Sequence, residues 1–474
     1  MVGGRLVARG SRANRTSAAM TWRAIAAELL PLLRLAVPLV IGLAASTFIG
    51  LTDTLFLAPL GAEPLAAAAL TTGVSLVFYA SIYGALSVVG VSVAHAFGAG
   101  DKRAIAQAVR TGLAYAAMLG PACAIVMALG LFALPHLGQP PGVLAILPDY
   151  WLAMAALLVP FALLIVLKNL YDSIGRPWLG VAFAFLGVGL NLPLNAALIF
   201  GVGPVPALGL LGAGLASLIS ESCAFVAGFL YWRRARAMRR LRVRAPIAGR
   251  DLSALAREGA PLGLLYAAET GAFAFAGLML GWFGAATLAA NQIVGSIASL
   301  LYMLPLGMAA AVAIRIGQAQ GAGNTSGLRP IGLAALAAVS AWTLASTLLL
   351  LMSGEAIAQL IAPDPQTAVL AASLFVVVAA MQVIDGLQST SLGALRGMRD
   401  NVFPAFLSIA AYWVLALPAA YGVAFGLSVG PPGIWAGFGA GLAVASLVLV
   451  WRFVRLTRPD ASGDEPRLRG NVSR

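Results

Sequence analysis

Apolar runs of about 20 residues recur along nearly the whole of this 474-residue chain. Each is long enough to cross the ~30 Å hydrocarbon core of a bilayer as a helix. The runs predict spans at roughly 34–57, 66–96, 106–134, 150–173, 178–201, 207–232, 256–283, 287–318, 330–352, 366–396, 402–425 and 431–455. None has the short apolar/polar alternation of a transmembrane β-strand. The expected fold is therefore an all-α polytopic membrane protein with twelve transmembrane helices. Only 10% of the residues are charged and 61% are hydrophobic, too few charges to solvate the surface of a soluble domain.

The net charge of +13 is explained by where the charge sits. All thirty Lys and Arg lie in or beside alternate connections: within 5–34, 102–110, 168–176, 233–257, 315–329, 396–399 and 452–474. The intervening loops, around 58–65, 135–149, 202–207, 284–286, 353–365 and 426–433, hold none. A nucleic-acid surface would not respect this alternation, so no nucleic-acid partner is expected. The pattern is positive-inside, which predicts both termini in the cytoplasm and a bacterial-type inner membrane, with lipid headgroups meeting the basic loops. Residues 1–30 are polar and Arg-rich without a cleavable apolar core, and are expected to be a disordered cytoplasmic tail. Cys123 and Cys223 both fall in predicted helices, so no disulfide framework is implied.

The chain also resembles itself. Residues 38–101 align without a gap to 261–324 at an offset of 223. Pro38-Leu39 matches Pro261-Leu262, Gly61-Ala62 matches Gly284-Ala285, Tyr79 matches Tyr302, and Gly98-Ala99-Gly100-Asp101 matches Gly321-Ala322-Gly323-Asn324. Chance matching in an Ala/Leu/Gly-rich chain would scatter over several offsets. Six helices per repeat is an even number, so the copies keep one orientation. They should form two six-helix lobes related by a pseudo-two-fold axis along the membrane normal, with a cavity between them. The expected organisation is an N-lobe over 31–232, an Arg-rich cytoplasmic linker over 233–255, a C-lobe over 256–455 and a cytoplasmic tail over 456–474. Such a pair of bundles suits alternating access better than it suits a simple channel or a membrane enzyme.

Ionisable groups at bilayer depth are costly and mark function by default. Four acidic residues qualify: Asp53, Glu221, Glu269 and Asp385. No Lys or Arg is expected at mid-membrane depth, so these carboxylates lack an evident cationic partner. A carboxylate so placed can carry a proton or bind Na⁺ through its oxygens, and an acidic cavity favours cationic or neutral substrates over anions. In the repeat, Glu269 takes the place of Ser46 and Asp53 the place of Ala276, so each lobe has its own acid on its first helix. Gln382 and Gln388 flank Asp385 at three-residue spacing on one helix face. Asn191 and Asn195, one turn apart, and Ser217 offer amide and hydroxyl oxygens in the first lobe. Gln292, Tyr302 and Tyr412 are further candidates, and Phe275 and Met303 add apolar surface. Each polar position has an ordinary structural role too, as helix–helix hydrogen-bond glue, and each aromatic as core. The two histidines, His95 and His136, lack ligand-spaced neighbours for zinc, and Gly209 to Gly214 lacks a P-loop lysine. No catalytic residues and no cofactor are expected, only Na⁺ or H⁺ as a coupling ion.

These segments together resemble the multidrug and toxic compound extrusion (MATE) family, in its NorM-like branch, over about residues 30 to 455. The resemblance rests on Leu51-Thr52-Asp53-Thr54, Asn191-Leu192-Pro193-Leu194-Asn195, Glu269 and Ile314-Arg315-Ile316-Gly317. It rests also on Asp385 with Leu395-Arg396-Gly397, and on Tyr412-Trp413-Val414-Leu415. It implies a twelve-helix, V-shaped antiporter that exports organic cations against inward Na⁺ or H⁺. By position, Glu269 and Asp385 resemble the family's second-lobe cation site, where Na⁺ would bind. Asp53, Asn191, Asn195 and Ser217 resemble its first-lobe polar site, and Pro38 the proline at which the first helix is proposed to bend. Asn195 stands where some members have aspartate, and Met381 where a relative has tyrosine. The readings left open are a related flippase for a lipid-linked saccharide, whose phosphates would call for Lys or Arg at depth, and a non-transporting membrane scaffold. Nothing in the chain demands more than a monomer.

Overall fold

Lipid offers no hydrogen bonds, so a spanning segment must satisfy its own backbone, and a helix does this within one segment. The computed structural model, which describes residues 4–137, 140–203, 206–242 and 249–458, has twelve helices long and apolar enough to cross a membrane. They are α1 (Gly4–Leu57), α2 (Ala62–Gly98), α3 (Lys102–Gly130), α4 (Pro141–Ser173), α5 (Pro177–Phe200) and α6 (Gly209–Arg234). Then follow α7 (Gly249–Gly281), α8 (Ala285–Gly321), α9 (Leu328–Ile361), α10 (Pro365–Gly397), α11 (Val402–Gly426) and α12 (Pro431–Leu456). The starts are written in the sequence. Pro141, Pro177, Pro365 and Pro431 occupy first-turn positions where the missing N–H is no loss. Asp101 caps α3 by accepting from the Arg103 and Ala104 amides at 2.8 and 3.0 Å.

The duplication is visible in the backbone. Gly61 and Gly284 precede α2 and α8 with the same φ of 107°, in the region that favours glycine. Both helices then run 37 residues. Asn324, the counterpart of Asp101, accepts from the Gly327 amide at 3.0 Å. The helices α4 and α10 both run 33 residues, starting at 141 and 365, an offset of 224.

Contact between the lobes is built by α1 and α2 of the first against α7 and α8 of the second. Gly84 lies against Leu262 and Tyr266, Gly259 and Gly263 against Ala85, and Gly307 against Ala36 and Val40. At the axis, a Cβ on Gly98 would sit 2.0 Å from the Gln318 carbonyl oxygen, and one on Gly321 1.9 Å from that of His95. Each of these glycines lies in the half of its helix that ends at the Lys- and Arg-bearing connections. Polar contacts join the lobes on the same side. Arg315 pairs with Glu28 at 2.7 Å, Gln107 donates to Asp251 at 2.7 Å, and Gln318 donates to the Ser173 carbonyl at 2.8 Å. We call this the basic side.

Two expectations change. The stretch taken as a disordered tail continues α1 back to Gly4. Residues 4–30 contain no proline, and their Ala, Arg and Leu content permits helix. The linker is also shorter than 233–255. α6 persists to Arg234, a 3₁₀ turn spans Arg236–Leu241, and α7 begins at Gly249, with 243–248 outside the described residues. The tail expected over 456–474 falls, from 459 on, outside the described residues.

Candidate functional site

In the first lobe, Asp53 on α1 meets α5 and α6. The 3.6-residue repeat puts Asn191 and Asn195 on one face of α5, and both are fully buried. The Asn195 amide donates to Asp53 Oδ1 at 2.6 Å and the Asn191 amide to the same oxygen at 3.3 Å. The Ser217 hydroxyl donates to Oδ2 at 2.9 Å. Asn191 is cross-linked in turn: it donates to Ser217 at 3.1 Å and accepts from Asn195 at 3.1 Å. Asn195 Oδ1 is buried without a partner. A carboxylate gripped by three neutral donors, with a spare amide oxygen beside it, can hold a proton or a small hard cation. All four residues singled out in the first-lobe sequence meet here. Glu221, one turn beyond Ser217, does not join them. Its side chain faces α5 near Gly187 and makes no hydrogen bond among the described residues.

In the second lobe, Glu269 on α7 lies near the Tyr412 hydroxyl. That hydroxyl accepts from the Gln388 amide at 3.2 Å, which ties α10 to α11 beside Glu269. Asp385, buried on the same face of α10 as Gln388, lies within electrostatic reach of Glu269. Tyr302 of α8 lies near the same group. Gln382 instead donates to the Ala298 carbonyl at 3.4 Å. Gln292 is exposed. Tyr412 sits where α11 widens into a π-helical turn, Ala411–Ala416, a local irregularity that often re-aims a functional side chain. Its ring packs against Phe273 and Phe438 at centroid distances of 6.3 and 5.9 Å, so it serves as core and as hydrogen-bond hub at once. Phe275 packs on Trp413. Helix α1 continues through Pro38, which leaves the Arg34 carbonyl without its helical donor. Among the described residues there is no cluster of three or more His, Cys, Asp or Glu side chains that would hold a metal, and Cys123 and Cys223 are free.

Two basic residues lie within the helical bundle near the basic ends of their helices, short of the mid-membrane depth at which none is expected. Lys168 lies inside α4, one turn before Asp172, and pairs with it at 3.3 Å. Arg396, at the end of α10, is 3% exposed. Both helices end within a residue of where the sequence placed them, and it is their packing at the lobe junction that buries these charges. Asp172 was not singled out because it sits at a helix end beside a basic connection, although its i,i+4 spacing from Lys168 is legible in the sequence.

The model of the MatE family matches residues 38–197 and, a second time, residues 261–421, its two starts separated by the offset of the internal repeat. The chain belongs to the MatE family. It is 36% identical over 440 residues to the probable multidrug resistance protein NorM of Deinococcus radiodurans, covering 91% of this chain and 96% of that one. It is 33% identical over 437 residues to the multidrug resistance protein NorM of Burkholderia vietnamiensis, covering 89% and 92%. Among solved structures, the fold matches the eukaryotic MATE transporter AtDTX14 with a TM-score of 0.82 at 19% identity, covering 91% of this chain and 96% of that one. It also matches a multidrug resistance MATE transporter of the MOP superfamily in its outward-facing conformation, with a TM-score of 0.81 at 22% identity and coverage of 90% and 96%. This MatE protein is thus a multi-pass membrane protein of a transporter family, with the all-α, two-lobe architecture expected of it.

Proposed function

We propose that this MatE protein exports organic cations and other toxic small molecules outward, by antiport against inward Na⁺ or H⁺. It sits in a bacterial-type inner membrane with both termini cytoplasmic, works as a monomer among membrane lipids, and needs no cofactor beyond the coupling ion. The observation that carries this reading is the pair of carboxylate clusters, one per lobe, around Asp53 and around Glu269 and Asp385. Neither cluster contains a Lys or Arg partner, so each can exchange a bound cation for a proton or Na⁺ without breaking an ion pair. The NorM relatives, named for multidrug resistance, agree with it.

With the basic side in the cytoplasm, the described state has its lobes joined inside, and it stands in this scheme for the outward-facing state. A drug cation is held there near ionised Glu269, Asp385 or Asp53. An entering ion neutralises the carboxylate, weakens its hold on the drug and releases it outside. The loaded protein then favours the inward-facing state, where the ion is lost and new drug binds. Transport follows because drug and ion differ in their affinity for the two states.

Efflux of a fluorescent lipophilic cation, measured in everted vesicles under Na⁺ and H⁺ gradients imposed separately, tests this. Wild type should move the dye under one gradient, and Glu269→Gln and Asp53→Asn should each slow it. Full activity in both variants, or no movement under either gradient, would overturn the scheme.

A further inference from the structure

At the lobe junction on the basic side, a cavity of about 30 Å³ is lined by Lys168 and Asp172 of α4, Arg396 of α10 and Tyr83 of α2. It has room for a water or two. Its charges are incompletely matched. Asp172, 2% exposed, gives Oδ2 to Lys168 at 3.3 Å, while Oδ1 is buried without a partner. Arg396 lines the same cavity from the other lobe. Its one side-chain hydrogen bond is a long one, 3.4 Å to the neutral hydroxyl of Tyr266, and it has no ion pair among the described residues. Tyr266 in turn meets Tyr83 edge-on across the junction, with centroids 5.8 Å apart. A buried guanidinium without an anion is expensive, so its natural complement is the unused carboxylate oxygen in the same cavity.

The repeat makes this shared lining more than coincidence. In α4, the Asn169 amide donates to the Leu86 carbonyl and the Ser173 hydroxyl to the Gly90 carbonyl. In α10, Gly393 lies against the Ala309 carbonyl and Gly397 against the Ala313 carbonyl. Those carbonyls are the repeat counterparts of Leu86 and Gly90, so α4 and α10 dock on α2 and α8 in one register. In that register Asp172 and Arg396 are counterparts. Groups at equivalent positions that line a cavity beside a two-fold axis face each other, and here they have opposite sign.

We propose that Asp172 and Arg396 form a charge pair across the lobe junction, bridged by water in the cavity between them, that favours the state in which the lobes meet on the basic side. Lys168 keeps the Asp172 carboxylate compensated when the lobes part, and Arg396 then finds water from the opening. Both end states therefore leave the charges satisfied, which makes the pair a positioning device for the lobes. The proposal rests on the functional reading only in taking the lobe motion to be the transport motion.

The test is a distance measurement that needs neither substrate nor gradient, so its failure is separable from a failure of the efflux reading. With Cys123 and Cys223 replaced by alanine, spin labels at the repeat-related exposed positions Ala62 and Ala285 report how far the lobes stand apart on the side opposite the basic one. Asp172→Asn and Arg396→Gln should each move the population toward the shorter separation by about fivefold or more. The double variant should move it no further than the larger single, and Arg396→Lys should retain most of the wild-type distribution. Unchanged distances in both singles, or a double effect equal to the product of the two, would overturn the proposal. If the singles fold poorly, recovery of yield in the double variant supports the pairing, and no recovery refutes it.

Discussion

The closest approach between the lobes gives the sharpest expectation. A methyl group added at Gly321 would lie 1.9 Å from the His95 carbonyl oxygen. That atom is backbone and cannot rotate away. Ordinary contact begins at 3.4 Å, so α8 and α2 must separate locally by about 1.5 Å, the kind of overpacking that costs roughly 1–3 kcal/mol. Because the clash exists only while the lobes meet on the basic side, the cost falls on that state alone. Gly321→Ala should therefore move the equilibrium between the two access states by roughly 5- to 150-fold away from the described state. Spin labels at Ala62 and Ala285 would read this as growth of the shorter distance. Gly98→Ala, whose methyl would meet the Gln318 carbonyl at 2.0 Å, should act alike. The two together should do less than the product of their effects, since one withdrawal relieves both clashes. Gly50→Ala, with nothing within 4 Å of its added Cβ, is the control and should change nothing. A distribution in Gly321→Ala that matches wild type would refute the argument that this contact sets the closed junction.

Other expectations are narrower. Tyr412→Phe keeps the ring packing on Phe273 and Phe438 but deletes the hydroxyl that accepts from Gln388 beside Glu269; its melting temperature should stay near wild type while dye efflux falls severalfold. Trp151, 1% exposed, donates from Nε1 to the Met127 carbonyl at 2.7 Å. Trp151→Ala should lose about 3–5 kcal/mol of stability, seen as a clearly lowered melting temperature in detergent. Asp364, outside the membrane at the start of α10, accepts from the Thr367 amide at 2.8 Å and the Thr367 hydroxyl at 2.7 Å. These bonds hold its carboxyl below the ordinary 3.8. A depressed folded value means the stabilisation is present above about pH 3.8 and lost as pH falls through the folded value. Asp364→Ala should therefore melt below wild type near neutrality and converge with it in acid.

The spans and the repeat were legible because each rests on many residues. A twenty-residue apolar run survives any single exception, and the offset of 223 is fixed by matched Pro and Gly. The first-lobe cluster was legible too, since a polar face on an apolar helix has few reasons to exist and Asn191 and Asn195 share one. The junction charges were not. Lys168, Asp172 and Arg396 sit at helix ends, where a charged residue in the sequence looks like part of a loop, and only packing reveals that the ends are buried. Their relationship was hidden as well. The third helices, α3 and α9, differ in length at 29 and 34 residues, as do the connections after them, so the gapless alignment stops before α4 and α10 resume at 224. The helical course of residues 4–30 was missed because Arg-rich polarity signals solvent exposure, which a helix tolerates as readily as a coil does.

Divergence between the two copies is what makes the site and the junction workable. Across a true two-fold axis a residue faces its own copy, so an ionisable group beside the axis meets a like charge. Two identical chains could not place Asp172 opposite Arg396; fusion into one chain lets the equivalent positions change separately. The same freedom put Glu269 where the first copy has Ser46, and Asp53 where the second has Ala276. The contacts that need only close backbone approach, Gly98 on Gln318 and Gly321 on His95, stayed symmetric. The contacts that need charge became asymmetric. A two-lobe transporter needs both: symmetric packing so the halves can rock about one axis, and asymmetric charge so that ion and substrate act unequally on the two states.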